Sequence, residues 1–95
     1  MTTNHSLAYL HQWQYNTAMI VFKEFFMGDV EDPELYAAQP IWEWQQSEHG
    51  KWVMEHATET PSFNIAPSIE TYGWKCAIYG KLNEADEIIY RLKYT

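Results

Sequence analysis

Between residues 17 and 27 the chain reads TAMIVFKEFFM, rich in β-branched and aromatic side chains. Its alternation places Ala18, Ile20 and Phe22 on one face and Met19, Val21, Lys23 and Phe25 on the other. A period of two with that composition predicts a strand, with the first face turned to the core. Over 72–82, Trp74, Cys76 and Ile78 alternate with Lys75, Ala77 and Tyr79, the pattern of a half-buried strand. Phe63 and Ile65, flanked by prolines, predict a short strand at a sheet edge, where a residue without an N–H is tolerated.

The helical signals lie between and after these strands. In GDVEDPELYAAQP, Gly28 permits a sharp bend, Asp32 is placed to cap a helix, and Pro33 suits its first position. Glu34 then meets the positive end of the helix dipole. The expectation is a short helix over 33–39 with a kink or restart at Pro40, which cannot donate inside a helix. A second helical stretch follows over 41–57. Wound at about 100° per residue from Ile41, it gathers Ile41, Trp42, His49, Trp52, Val53 and His56 into one apolar stripe about 120° wide. Glu43, Ser47, Lys51 and Glu55 fall on the opposite, watery side. Near the C-terminus Asn83 reads as an N-cap, and Ala85, Ile88, Ile89 and Leu92 recur at helical spacing. Acids open that helix and Arg91 and Lys93 close it, as the dipole favours.

The order strand, helix, strand, strand, helix predicts an α+β fold: a small antiparallel sheet of about three strands packed on two helices, a ferredoxin-like variant in topology. The length predicts a single domain over 1–95. Its first fifteen residues offer Leu7 and Leu10 to a short helix but Tyr9, His11 and Trp13 to an extended segment, so 1–15 is expected to be an irregular or helical arm beside a 16–95 core.

Composition narrows the function. Six basic and thirteen acidic residues give a formal charge of −7, and the cations are scattered. Nucleic-acid backbones are bound by clustered Lys and Arg, so that class is disfavoured, while the acidity fits solubility or a basic protein partner equally well. No run approaches the ~20 apolar residues of a membrane span. The start lacks the basic flank and apolar stretch of a signal peptide, and the lone Cys76 can form no internal disulfide, so a cytoplasmic protein is expected.

Few residues suggest chemistry. His49 and His56 share the apolar stripe but stand seven residues apart, about 10 Å along a helix axis, whereas a metal pair wants three or four. Imidazoles hydrogen-bonded at the rim of a core are the expectation there, with no cofactor and no metal. Cys76 is predicted to point inward, where a thiol is inert. The acids Asp29, Glu31, Asp32 and Glu34 lack the alternating ligands and central Gly of a calcium loop, and helix capping accounts for them. As an exposed acidic knob they are also candidates to dock on a basic protein. Trp44 falls near 300° on the same wheel, outside the stripe and among charges, which makes it a candidate binding anchor unless the N-terminal arm covers it.

The succession MGDVEDPELYAAQP, WQQSEHGKWVMEHA and AIYGKLNEADEIIYRLKY resembles small uncharacterised accessory proteins of large tailed bacteriophages. The shared elements are Gly28 to Pro33, Gly50 with Trp52 to Met54, and the closing Leu92-Lys93-Tyr94, so the likeness spans about 19–94. It implies an accessory protein acting in the host cytoplasm by binding and altering a host protein, and it carries no catalytic residues. The leading expectation is therefore a non-enzymatic acidic interaction module, with Trp44, Asp29, Glu31, Asp32 and Glu34 as contact residues and a homodimer as one form. The alternative is a small metal- or ligand-binding protein centred on His49 and His56 or on the Asp29–Glu34 cluster.

Overall fold

The computed structural model describes residues 19–94; the expected arm at 1–15, with His5 and His11, and Ala18 of the first strand lie outside them. The described chain runs β1 (Ile20–Gly28), α1 (Pro33–Gln46), α2 (Glu48–His56), β2 (Ser62–Pro67), β3 (Trp74–Gly80) and α3 (Glu84–Tyr94). The strands form one antiparallel sheet in the order β1-β3-β2. That is the order of a β-α-β-β-α-β arrangement lacking its last strand, and the class is α+β as the sequence pattern implies.

β3 is central, and its alternation holds: Cys76 and Ile78 are buried. β2 lies at an edge and ends on Pro67, whose missing N–H costs no ladder bond there. The β2–β3 turn is closed by the Ser68 N–H donating to the Gly73 carbonyl at 2.8 Å. Gly73 has φ +107°, and a Cβ there would run into the Gly28 backbone, so only glycine fits.

β1 departs from simple alternation. Val21 opposes Tyr79 and Lys23 opposes Ile78, so two residues of β1 cover one step of β3, and a second irregularity falls between Phe26 and Gly28. A bulge of this kind reverses which residues face inward. Ile20 and Phe22 are buried as expected, but beyond the bulge Phe25 turns partly inward and Met27 is buried. The expectation that Phe25 shares the outer face with Val21 is thus corrected by one inserted residue.

The middle of the chain holds two helices, but their boundary is not at Pro40 as expected. α1 runs through Pro40 to Gln46. Proline there deprives only the Tyr36 carbonyl of a partner, and Tyr36 is on the exposed side, where solvent serves it. The break comes instead at Ser47, whose backbone is extended (φ −73°, ψ 164°). Its hydroxyl donates to the Trp44 carbonyl at 2.6 Å and accepts the Gly50 N–H at 3.0 Å, closing α1 and capping α2 with one side chain.

Because the helix breaks, residues on either side of Ser47 do not share one wheel. Within α1, Ala37, Ile41 and Trp44 (i, i+4, i+7) face inward, and Trp44 is only 5% exposed. Trp42 points away and is 55% exposed. Trp44 is therefore a core residue and Trp42 a surface one, the reverse of the single-helix expectation. Within α2 the expected stripe holds: Val53 is fully buried, with His49, Trp52 and His56 half-buried around it.

Two hydrophobic clusters fill the space between sheet and helices. The larger joins Ile20, Phe22 and Ile78 of the sheet to Trp44, Val53 and Tyr90. The smaller is Met27, Ala37 and Cys76, with Ile41 touching both.

A Cβ at Gly50 would collide with the Trp44 carbonyl, a backbone group that cannot give way. Gly50→Ala is expected to cost about 3 kcal/mol or more in urea unfolding, by forcing the two helices apart. A cost below about 1 kcal/mol, the range of an ordinary surface change, would show that the elbow is compliant.

Candidate interaction surface

The titratable groups in the core organise around His49. The Trp44 indole donates to its Nδ1 at 3.2 Å, and its Nε2 lies 2.9 Å from the Tyr90 hydroxyl. An indole N–H can only donate, so Nδ1 is the acceptor and the neutral ring carries its proton on Nε2, which it offers to Tyr90. The same ring packs against Tyr94 at 4.6 Å between centroids. Burial, and secondarily the charge of Lys23, push the His49 pKa below its ordinary 6.5. A proton on Nδ1 would also set two donors face to face. Burial raises the Tyr90 pKa, so its hydroxyl stays protonated at neutral pH.

His56 belongs to a different packing. Its ring stacks on Trp52 at 4.0 Å, and its Nδ1 donates to the Trp52 carbonyl at 2.7 Å. The two imidazoles do not share a centre, and among the described residues no three His, Cys, Asp or Glu side chains gather where a metal ion could be held. Cys76 is fully buried, and burial raises the pKa of its thiol. Each of these groups is hydrogen-bonded or shielded by its neighbours.

The surface is more informative. Trp42 and Phe63, the latter 54% exposed, stand on the two sides of a groove of about 510 Å³ between α1 and the β2 edge. Ala38 and Ile41 lie with them, and Glu34 and Gln45 supply the polar lining. The residues of α1 that reach it, 34, 38, 41, 42 and 45, form one face at helical spacing. Glu34 links the groove to the acidic segment before α1, where Asp29, Glu31 and Asp32 are all exposed. Asp32 caps the helix, accepting from the Leu35 N–H at 3.2 Å. Among the described residues none of these four acids has a cationic partner. Of the predicted acidic cluster, Glu34 lines this aromatic groove, and Asp29, Glu31 and Asp32 precede it in the chain as exposed residues. The predicted anchor Trp44 is not part of the groove; the exposed tryptophan on this face is Trp42.

A second hollow, of about 600 Å³, opens between Thr58, Lys81 and the start of α3; Lys81, Glu84, Glu87 and Arg91 give it charges of both signs and no single chemical character. Trp42 was not legible as a surface residue from one continuous helical wheel, and Phe63 lies on β2, outside that wheel. The signal that would have placed Trp42 is Ser47 followed by Glu48, an N-cap with an acid in the first turn, which marks a new helix. No helix among the described residues is long and apolar enough to cross a membrane. Comparison with protein families, with curated proteins and with solved structures finds no match to the chain.

Two expectations follow from the His49 centre. Its pKa is lowered by folding, so its contribution is fully present above pH 6.5 and is lost as pH falls through the folded-state value. Unfolding free energy should therefore drop below pH 6.5, and His49→Gln should flatten part of that drop; an unchanged slope would remove His49 as its source. Separately, the Tyr94 hydroxyl is buried without a hydrogen-bond partner among the described residues, whereas that of Tyr90 is paired. Tyr94→Phe should be neutral or slightly stabilising and Tyr90→Phe should cost about 1–2 kcal/mol, the reverse ranking being the result that contradicts a stabilising His49–Tyr90 hydrogen bond.

Proposed function

We propose that this chain is a non-enzymatic, acidic protein-interaction module whose contact face is the groove between α1 and β2. The observation that carries the reading is one exposed tryptophan, Trp42, lining a groove with an exposed Phe63 and with Glu34, the last of the four acids that open α1. Exposed tryptophans in a hollow are the residues that most often dominate binding energy. The neighbouring acids would attract and orient a basic partner rather than supply most of the affinity. The partner this chemistry recognises is a protein segment with an apolar side chain flanked by Lys or Arg. The resemblance to phage accessory proteins suggests that the segment belongs to a host protein and that binding alters its activity in the host cytoplasm. A non-catalytic role agrees with a shielded Cys76 thiol and with a His49 ring whose two nitrogens are both engaged.

The test titrates the full chain with two peptides of equal apolar content, one flanked by lysines and one by glutamates. The lysine peptide is expected to shift the Trp42 and Phe63 resonances and the glutamate peptide to leave them unmoved. Trp42→Ala should weaken the lysine peptide about tenfold or more. Glu31→Lys with Glu34→Lys should weaken it and reduce its salt dependence. Equal response to both peptides, or shifts confined to other residues, would refute this assignment.

A further inference from the structure

The two outer strands of the sheet present different edges. β1 carries two register irregularities and, between them, the charged side chains of Lys23 and Glu24. Bulges and charges are the features by which an edge strand turns other chains away. β2 has neither. Its register with β3 is unbroken from Ser62 to Pro67, and none of its residues is charged.

The hairpin fixes which way the β2 backbone points. The Ser68 N–H donates to the Gly73 carbonyl at 2.8 Å, and the β2–β3 register continues that pairing one residue at a time. Opposed residues of an antiparallel pair alternate between hydrogen-bonded and non-bonded. Ser62, Asn64 and Ala66 therefore bond to β3, while Phe63, Ile65 and Pro67 direct their backbone groups outward. Pro67 has no N–H to offer, so the outward N–H groups are those of Phe63 and Ile65. Among the described residues nothing bonds to either. Cross-strand partners share a face, so Phe63 lies on the side of buried Ile78, and Ile65 on that of Cys76, toward the helices. The open backbone edge and the Trp42 groove thus meet at Phe63.

We infer, resting on the interaction reading above, that the basic partner segment binds in extended form as a fourth strand along β2, exchanging backbone hydrogen bonds with Phe63 and Ile65. Its residue opposite Phe63 then falls on the helix side, where an apolar side chain enters the groove beside Trp42. Residues two positions away share that side, and a Lys or Arg there is placed for Glu34, the acid that lines the groove. The residue between them projects to the far face of the sheet. Pro61 and Pro67 bound the receptive edge, so the recognised segment is about five residues long. A second copy of the chain suits the edge less well. Its own β2 brings no cation to Glu34, and each copy carries a formal charge of −7.

Amide hydrogen exchange of the full chain, read by residue with and without the lysine-flanked peptide, tests this. In the free chain the Phe63 and Ile65 amides should exchange fast and those of Asn64 and Ala66 slowly, at any protein concentration. Saturating peptide should slow Phe63 and Ile65 about tenfold or more. Two N-methylated peptides, one blocked at alternate amides and the other at the amides between, should then differ. One set faces β2, and its loss should weaken binding about tenfold or more, whereas the other set faces away. A peptide that shifts Trp42 and Phe63 without slowing these two amides, or that responds equally to both methylation patterns, would overturn strand addition and leave the groove reading standing. No binding at all would overturn both. Slow exchange of Phe63 and Ile65 in the free chain would also overturn strand addition, because the edge would already be held. Protection that grows with concentration would assign it to a second copy, and constant protection to the chain's own residues.

Discussion

The turn at Ser47 sets the orientation of everything packed above the sheet. One hydroxyl ends α1 on the Trp44 carbonyl and starts α2 on the Gly50 N–H, and the absence of a side chain at Gly50 lets the second helix begin against the backbone of the first. The phase break sends Trp44 inward, where its indole meets His49 from the first turn of α2, and His49 in turn meets Tyr90 from α3. Three helices are therefore locked to one another by two side-chain hydrogen bonds inside an aromatic cluster. The same break sends Trp42 outward. Core and candidate surface have a common origin in a local backbone event.

The strands and their order were legible because a half-buried strand writes its own period into sequence. Trp74, Cys76 and Ile78 alternate cleanly, and prolines bracket the edge strand. What was not legible was any interruption of a period. The bulge opposite Ile78 shifts the inward set of β1 from Ile20 and Phe22 to Phe25 and Met27, and no residue type announces it. Pro40 was an obvious punctuation mark that the helix ignores, while Ser47, a quieter one, is where it ends. The acidic cluster was readable by composition. Its companion Trp42 was not, because its placement depends on the phase of a helix whose end had been misplaced.

α3 illustrates a related point about apolar periodicity. A stripe at helical spacing says that a face is suited to burial, not by what. Here the domain claims the tyrosine side, where rings stack and one hydroxyl bonds His49, and leaves the aliphatic side outward. Large rings fill the shallow space above a three-stranded sheet better than branched aliphatics would. The two outward-facing apolar regions, the α3 stripe and the Trp42–Phe63 groove, lie on different elements, and an acidic residue accompanies each.

The lone thiol of Cys76 has no exposed surface and sits in the smaller cluster, under Ala37 of α1 and beside Met27 of the bulged strand. Reagents reach such a sulfur only when α1 lifts from the sheet. Its alkylation rate is consequently an intrinsic clock for that one opening, read without any added label. Because Trp44, His49 and Tyr90 fasten the neighbouring cluster, comparing that clock with whole-domain unfolding would reveal whether the two halves of this small interior breathe together or apart.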